Sequence, residues 1–393
     1  MKREVSVGAG LMAAMVAFSA GAQEPAPEQQ APVAQVSQQA PAVRKPLAIS
    51  ILPGLSTNGF ASDDVVNNIS LGVIASDADR VEGLALAFGG NWVSRELRGM
   101  ELAMGANYAG QVRGLQLSLG GNVAGGSMRG WQTALGANIA AGEMVGAQLT
   151  TGVNIAAGHS RGLQAAMGLN IAPDMVGVQV SSGLNLARRF VGAQLSLLNV
   201  GGDVSGAQVG LVNVAKRMKG LQFGLLNVAS EAETSIGLLN LVGNGQHHVQ
   251  AWVSDLAMTN VALKIGSRNF HTLFTLGLRP TRHGEPRWWA AGLGLGAHLP
   301  FGPLFVDLDV LASSLHEGQL FSSSGNLLGQ LRLVGGWQPF SHFALFGGVT
   351  ANTLVTFHGE ALTGADRFRQ GQVFQGDGAR VQVWPGFVAG VQL

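Results

Sequence analysis

The chain has 393 residues, a formal net charge of +1 and 12% charged residues, which leaves no electrostatic footprint for nucleic acid or an anionic surface. It contains no cysteine, so it has neither disulfides nor the lipid-bearing cysteine that tethers a bacterial lipoprotein. Its 58 glycines follow no Gly-X-Y period, which excludes collagen.

Lys2 and Arg3, the apolar stretch Val5 to Phe18 and Ala20-Gly21-Ala22 form the pattern of a secretory signal peptide cut after Ala22. The apolar run is shorter than the ~20 residues of a membrane-spanning helix, which argues against a retained anchor. Residues 23–46 are rich in Gln, Ala and Pro and lack the large apolar side chains that offset ordering entropy, so they read as a linker. No later apolar run is long enough for a helix to cross a bilayer, so a crossing would have to be a β-barrel.

Residues 47–245 carry a tandem repeat. Aligned on leading glycines, it includes GLQLSLGGNVA from Gly114, GWQTALGANIA from Gly130, GAQLTTGVNIA from Gly146 and GLQAAMGLNIA from Gly162, with further copies from Gly83 to Gly220. Leu115, Leu117, Leu119 and Val123 alternate with Gln116, Ser118, Gly120 and Asn122, the period of a β-strand. Two architectures fit. An antiparallel meander would make each copy one strand of an outer-membrane barrel, apolar toward lipid and Gln/Asn toward the lumen. A parallel solenoid would stack Gln on Gln and Asn on Asn. A straight strand of ten residues covers ~33 Å, whereas five connecting residues reach at most ~18 Å, so a solenoid requires a break in each strand. Gly105, Gly120, Gly136, Gly152, Gly168 and Gly183 are the candidate corners or bulges. The meander is the leading expectation and the solenoid with a small C-terminal barrel is the alternative.

Residues 246–393 hold seventeen of the aromatic residues, against eight before them. The segments Val249–Leu256, Asn260–Ser267, Phe270–Leu278, Trp288–Leu299, Leu304–Leu315, Leu327–Trp337, Phe343–Phe357 and Val381–Leu393 read as strands. Eight strands with alternating faces match the smallest membrane barrels. In the last one Phe387, Ala389, Val391 and Leu393 share an apolar face, like the terminal signal of outer-membrane proteins, although that signal usually ends in an aromatic residue.

Leu55-Ser56-Thr57-Asn58-Gly59, Asn67-Asn68-Ile69-Ser70-Leu71, the Gly-x-Gln…Asn-x-Ala copies, Gly237-Leu238-Leu239-Asn240-Leu241-Val242 and Asn326-Leu327-Leu328-Gly329-Gln330-Leu331 together resemble the leptospiral-type surface repeat-containing family of bacterial envelopes. The resemblance covers about residues 47 to 393. It implies a surface or outer-membrane location and no activity.

Chemistry-bearing residues are few. Asp307 and Asp309 share a strand face, as a carboxylate pair or as ordinary lining. His247 and His248 would point to opposite faces and so not chelate one metal. Ser313, Ser314, His316 and His358 are the candidates for a hydrolase, and Gly292, Gly294 and Gly296 alternate along a strand without the helix a dinucleotide loop needs. The expectation is an all-β, non-enzymatic outer-membrane protein, structural, pore-like or adhesive. It has no catalytic, cofactor or metal residues and no nucleic-acid partner. Outer-membrane lipid and the barrel-assembly machinery are its partners, and its ligand is unknown.

Overall fold

The computed structural model describes residues 43–59, 64–256, 258–280, 287–319, 325–340, 342–357, 372–376 and 378–393; the expected signal peptide lies outside them. Among the described residues every regular element is a β-strand. The chain divides between Ser205 and Gly206 into two compact units, and the strand Leu198–Val209 runs across that point.

The first unit is a parallel β-solenoid. Val43–Leu52, which begins inside the stretch read as linker, pairs in parallel with Val65–Gly72. From there the copies stack coil on coil in register: Gln116 opposes Gln132, Gln132 opposes Gln148, and Gln148 opposes Gln164. Asn122, Asn138, Asn154 and Asn170 align in the same way. The antiparallel meander is thereby corrected: the repeats are coils of a solenoid, and their Gln and Asn line a closed core instead of a barrel lumen.

Glycine makes the return path possible. Most coils break at their internal glycine, as between Met144–Thr150 and Val153–Ala156, and the coil from Gly192 breaks at Ser196-Leu197. The leading glycine also has a task that the repeat pattern left unexplained. Gly146 has φ +135°, a conformation L side chains rarely adopt, and a Cβ there would collide with the carbonyl oxygen of Gly130 one coil earlier. Inside, Val112, Met128, Met144, Ser160 and Met175 form a column that is apolar except at Ser160, and Ala109, Ala124, Ala140 and Ala156 a column of small residues. The Gln and Asn columns complete the core.

In the second unit the strands Val212–Phe223, Leu226–Ile236 and Leu239–Val242 pair in parallel with one another, with a register shift between Met218 and Leu221. From Gln246 the pairing becomes antiparallel. Gln246–Ser254, Thr259–Gly266, Phe270–Arg279, Trp288–Phe301, Leu304–Glu317, Asn326–Phe340, Phe343–Phe357 and Ala379–Gln392 each pair with the next, and the last returns to the first. The result is a closed eight-stranded barrel, with the hairpin strand Gln372–Gly376 added beside Ala379–Gln392. The expected segments fall on these strands; the short Gln372–Gly376 strand is additional.

The hairpin between the second and third barrel strands caps the last coil. Ser235 N donates to Ser267 Oγ at 2.9 Å, Asn240 Nδ2 to Thr272 Oγ1 at 3.2 Å, and Thr272 Oγ1 to Gly237 O at 2.8 Å. These bonds give the end of the stack the polar partners that another coil would have supplied.

In a solenoid each coil contacts only its neighbours, so one coil can be removed without reversing anything. Deleting residues 146–161 joins Val145 to Gly162, which is aligned with the Gly146 it replaces. The shortened protein is expected to keep its β circular dichroism and unfold cooperatively in denaturant. Loss of folded signal from this deletion, with folding restored by deleting two copies, would reinstate the meander.

Candidate functional site

Two ladders of side-chain amides run through the first unit in opposite senses. Gln132 Nε2 donates to Gln116 Oε1 at 2.7 Å, Gln148 to Gln132 at 2.8 Å and Gln164 to Gln148 at 2.8 Å, always toward the earlier coil. The asparagines donate toward the later coil: Asn122 to Asn138 at 2.9 Å, Asn138 to Asn154 at 3.0 Å and Asn154 to Asn170 at 2.9 Å. Spare amide hydrogens go to backbone carbonyls, Gln148 to Ile155 O at 3.1 Å and Asn154 to Ala165 O at 2.8 Å. Both donors of the amide are used and its oxygen accepts from a neighbour, so these fully buried groups carry little desolvation penalty.

The glutamine ladder ends on Glu101, which occupies the glutamine position of its coil. Gln116 Nε2 donates to Glu101 Oε2 at 2.8 Å, while Glu101 Oε1 has no partner. Burial pushes this carboxyl up to about 8, against a smaller opposing effect of the Gln116 bond. At neutral pH Glu101 therefore carries a proton and imitates the neutral amide.

A second polar cluster fills the barrel interior. Asp307 pairs with Lys264 and lies 2.6 Å from His298 Nδ1. Asp309 Oδ2 accepts from Arg332 Nη2 at 2.7 Å, and Asp309 Oδ1 is 2.8 Å from His271 Nε2. The Arg332 guanidinium lies over Trp252, 4.7 Å from the ring centre, and Lys264 lies 5.4 Å from the Phe305 centroid. One apolar cluster, including Trp252, Leu273, Phe305, Leu311 and Phe346, packs around this network, and a second, with Met258, Trp288, Leu315, Leu328 and Trp384, lies beyond it along the strands.

Asp307 and Asp309 share the inward face as expected, but each is committed to a cation instead of to its twin. Their partners Lys264 and His271 come from distant strands and had no local signal. The glycine alternation has a steric role: a Cβ on Gly296 would strike Asp309 Oδ1 and His271 Nε2, so Gly296 makes room for the network.

His247 is exposed, its Nε2 2.7 Å from Val242 O, while neighbouring His248 is half-buried and paired in register with Lys264. Ser314 Oγ lies 2.9 Å from His316 Nε2, a nucleophile and base within reach. The residues opposite Ser314 are Ala291 and Leu327, and that opposite His316 is Trp289. None of these three side chains carries a carboxylate, and the indole N–H of Trp289 donates to Gly318 O at 3.2 Å. Ser313 faces the interior beside Gly292, and His358 lies outside the described residues. Among the described residues no group of three His, Cys, Asp or Glu could hold a metal.

Comparison with family models, with curated proteins and with solved structures gives no match. The functional reading therefore rests on the geometry of this chain.

Two outcomes follow from the ladders. Asn154→Leu strands a donor on Asn138 and acceptors on Asn170 and Ala165, each costing ~1–3 kcal/mol, so its denaturant midpoint should fall well below that of Glu143→Ala. Glu143 forms only an exposed pair with Arg129 at 3.4 Å, worth ~0–1 kcal/mol. Equal midpoints for the two variants would contradict the ladder.

Glu101→Gln should stabilise the protein in a pH-dependent way. The folded carboxyl titrates above the unfolded one, so folding takes up a proton between pH 4.5 and about 8 and wild-type stability falls through that window. The variant lacks that fall. Its advantage should be small below pH 4 and reach roughly 3–5 kcal/mol above pH 8, read as the difference between the two denaturation curves at each pH. A gain independent of pH would show that the carboxyl is ionised in the fold.

Proposed function

We propose that this is an outer-membrane protein whose C-terminal barrel anchors a non-enzymatic repeat solenoid in the bacterial envelope. The observation that carries this reading is the inversion of the barrel. Its outward positions are apolar, among them Val310, Leu333, Leu345, Val349 and Phe387, while its interior holds Lys264, Asp307, Asp309 and Arg332. In water such a surface would be a large uncovered patch; in a bilayer it is the ordinary lipid face.

Further features support the same reading. At ~3.3 Å rise and ~40° tilt the five later strands, of fourteen or fifteen residues, span about 35 Å, and the first three, of eight to ten residues, about 20–25 Å, near the height of the apolar band of a membrane barrel. Outward aromatics cluster toward the two strand ends, Phe301, Trp337 and Phe340 at one and Trp289 and Phe357 at the other, as interfacial belts do. The signal-peptide pattern at residues 1–22, the apolar terminal strand and the resemblance to the leptospiral-type surface repeat family agree with export and with assembly by the barrel machinery.

An anchor accounts for the barrel better than a pore. Eight strands leave an interior that side chains can fill, and here Trp288, Arg332, Lys264, Leu311 and Leu315 are fully buried within it. The solenoid is then the displayed part, stabilised coil by coil and free of catalytic constellations among its described residues.

The protein should fractionate with outer membranes and migrate differently on detergent gels before and after heating. Leu333→Arg, at the middle of an outward strand face, should cost ~2–4 kcal/mol in lipid, measured by denaturant titration of vesicle-reconstituted protein. Recovery of the protein only as a soluble species, with Leu333→Arg neutral, would remove the anchor reading.

A further inference from the structure

From Gly83 to Ser205 charge is confined, Glu101 apart, to one segment of every coil. Between residues 83 and 205, every charged side chain except buried Glu101 lies in 94–98, 110–113, 125–129, 141–145, 157–161, 172–176, 187–191 or 201–205. These segments join the asparagine stretch of one coil to the leading glycine of the next. Their charges pair along a single ridge, Arg98 with Glu96 at 2.9 Å, Arg113 with Glu96 at 3.2 Å and Arg189 with Asp174 at 2.7 Å. Two thirds of each coil is therefore free of charge on its outside.

That uncharged exterior is apolar, not merely neutral. Its crest is the corner before the internal glycine, where Phe88, Met104, Leu119, Leu135, Thr151 and Met167 succeed one another, the five apolar members at 50–70% exposure and Thr151 turning its hydroxyl to Leu135 O at 2.6 Å. On either side stand outward residues such as Leu86 and Trp131 before the corner and Trp92 after it. With coils ~4.8 Å apart the strip covers on the order of 1,000 Å², beyond the ~300–600 Å² of the largest patch on an ordinary monomer. The amide ladders make this possible, because the polar groups that usually keep a strand's outer face wet are turned inward.

The form of the strip selects its occupant. Its most exposed row is a convex edge with an apolar side falling away on each flank, so a second rigid surface could cover one side at a time. A fluid covers both. The opposite ridge is charged and largely ion-paired, Arg161 standing without an ion pair, which suits water. We infer that the uncharged sides of the solenoid bind a lipid bilayer, with the row from Phe88 to Met167 immersed in the acyl region and the paired ridge left in water, the arrangement of an interfacial amphipathic element. This inference rests on the proposed membrane anchor, which brings the chain to a bilayer in the first place.

The absence of native cysteine allows a site-by-site test on the full-length protein. Single variants Leu135→Cys on the crest, Arg129→Cys on the ridge and Val349→Cys on the barrel exterior are labelled with an environment-sensitive fluorophore. They are then reconstituted into phosphatidylethanolamine–phosphatidylglycerol vesicles with or without acyl-brominated lipid. The labels at 135 and 349 should both be blue-shifted and quenched by at least about twofold, with the label at 129 unchanged, as a surface immersed ~5–10 Å requires. Quenching at 349 but not at 135 overturns the lipid-binding strip and leaves the anchor standing. Quenching at neither position overturns both. A label at 135 that is blue-shifted, unquenched and cross-linked to a second copy overturns it in favour of self-association.

Discussion

The side-chain amide stacked on an identical amide is the interaction on which the solenoid depends. An amide has two donors and one acceptor oxygen, and burying it is tolerable only when they are paired. Parallel, in-register coils place Gln132 above Gln116 and Asn138 above Asn122, and the backbone carbonyls of Ile139 and Leu149 complete the set. A shift of one residue would send every amide to the outside and every leucine inward. The ladders thus fix register, direction and face together. The opposed donor directions of the two ladders also keep their dipoles from adding along the stack.

A core made of amides changes what the exterior can be. In most half-buried sheets the apolar residues face in and the polar ones face water. Here the polar residues hold the core in each coil, small Ala and Met columns fill the remaining space, and Leu, Val and Ile are left facing out. The barrel reaches the same inversion by other means. Its interior binds two aspartates to Lys264 and Arg332 within an apolar cluster that includes Trp252 and Phe305, while its strands present apolar residues outward. Glu101 tests the amide rule from within: one carboxyl in the glutamine column is tolerated because burial keeps its proton on.

Much of this was legible in the sequence. The period of two gave strands, the copies gave the coil length, and the limited reach of five residues meant that a parallel stack must break at Gly120, Gly136 and their counterparts. The eight C-terminal strands were readable from alternation and from the turns at Pro280, Gly302-Pro303 and Pro339. Direction was not readable, because Leu115-Gln116-Leu117 alternates identically in a parallel and an antiparallel sheet. The positive φ of Gly146 and the partners of Asp307 and Asp309 were also hidden. Lys264 and His271 are 43 and 38 residues from the aspartates they pair with, and only barrel closure brings them together. The segregation of charge to one segment of each coil was present in the sequence, but it acquired meaning only once the coil showed which segments share a side.

Register and direction can be measured together in this cysteine-free chain. Val123 and Ile139 are opposed in adjacent parallel coils, at a strand separation of ~4.8 Å that lies within the ~4.4–6.8 Å range of disulfide Cα distances. In an antiparallel hairpin centred on Ser127, Val123 would instead oppose Trp131. Mild oxidation of the folded double variants Val123→Cys/Ile139→Cys and Val123→Cys/Trp131→Cys therefore distinguishes the two, read by the mass of the linked peptides. The amide-ladder account predicts a disulfide in the first variant and free thiols in the second; the reverse result would contradict it.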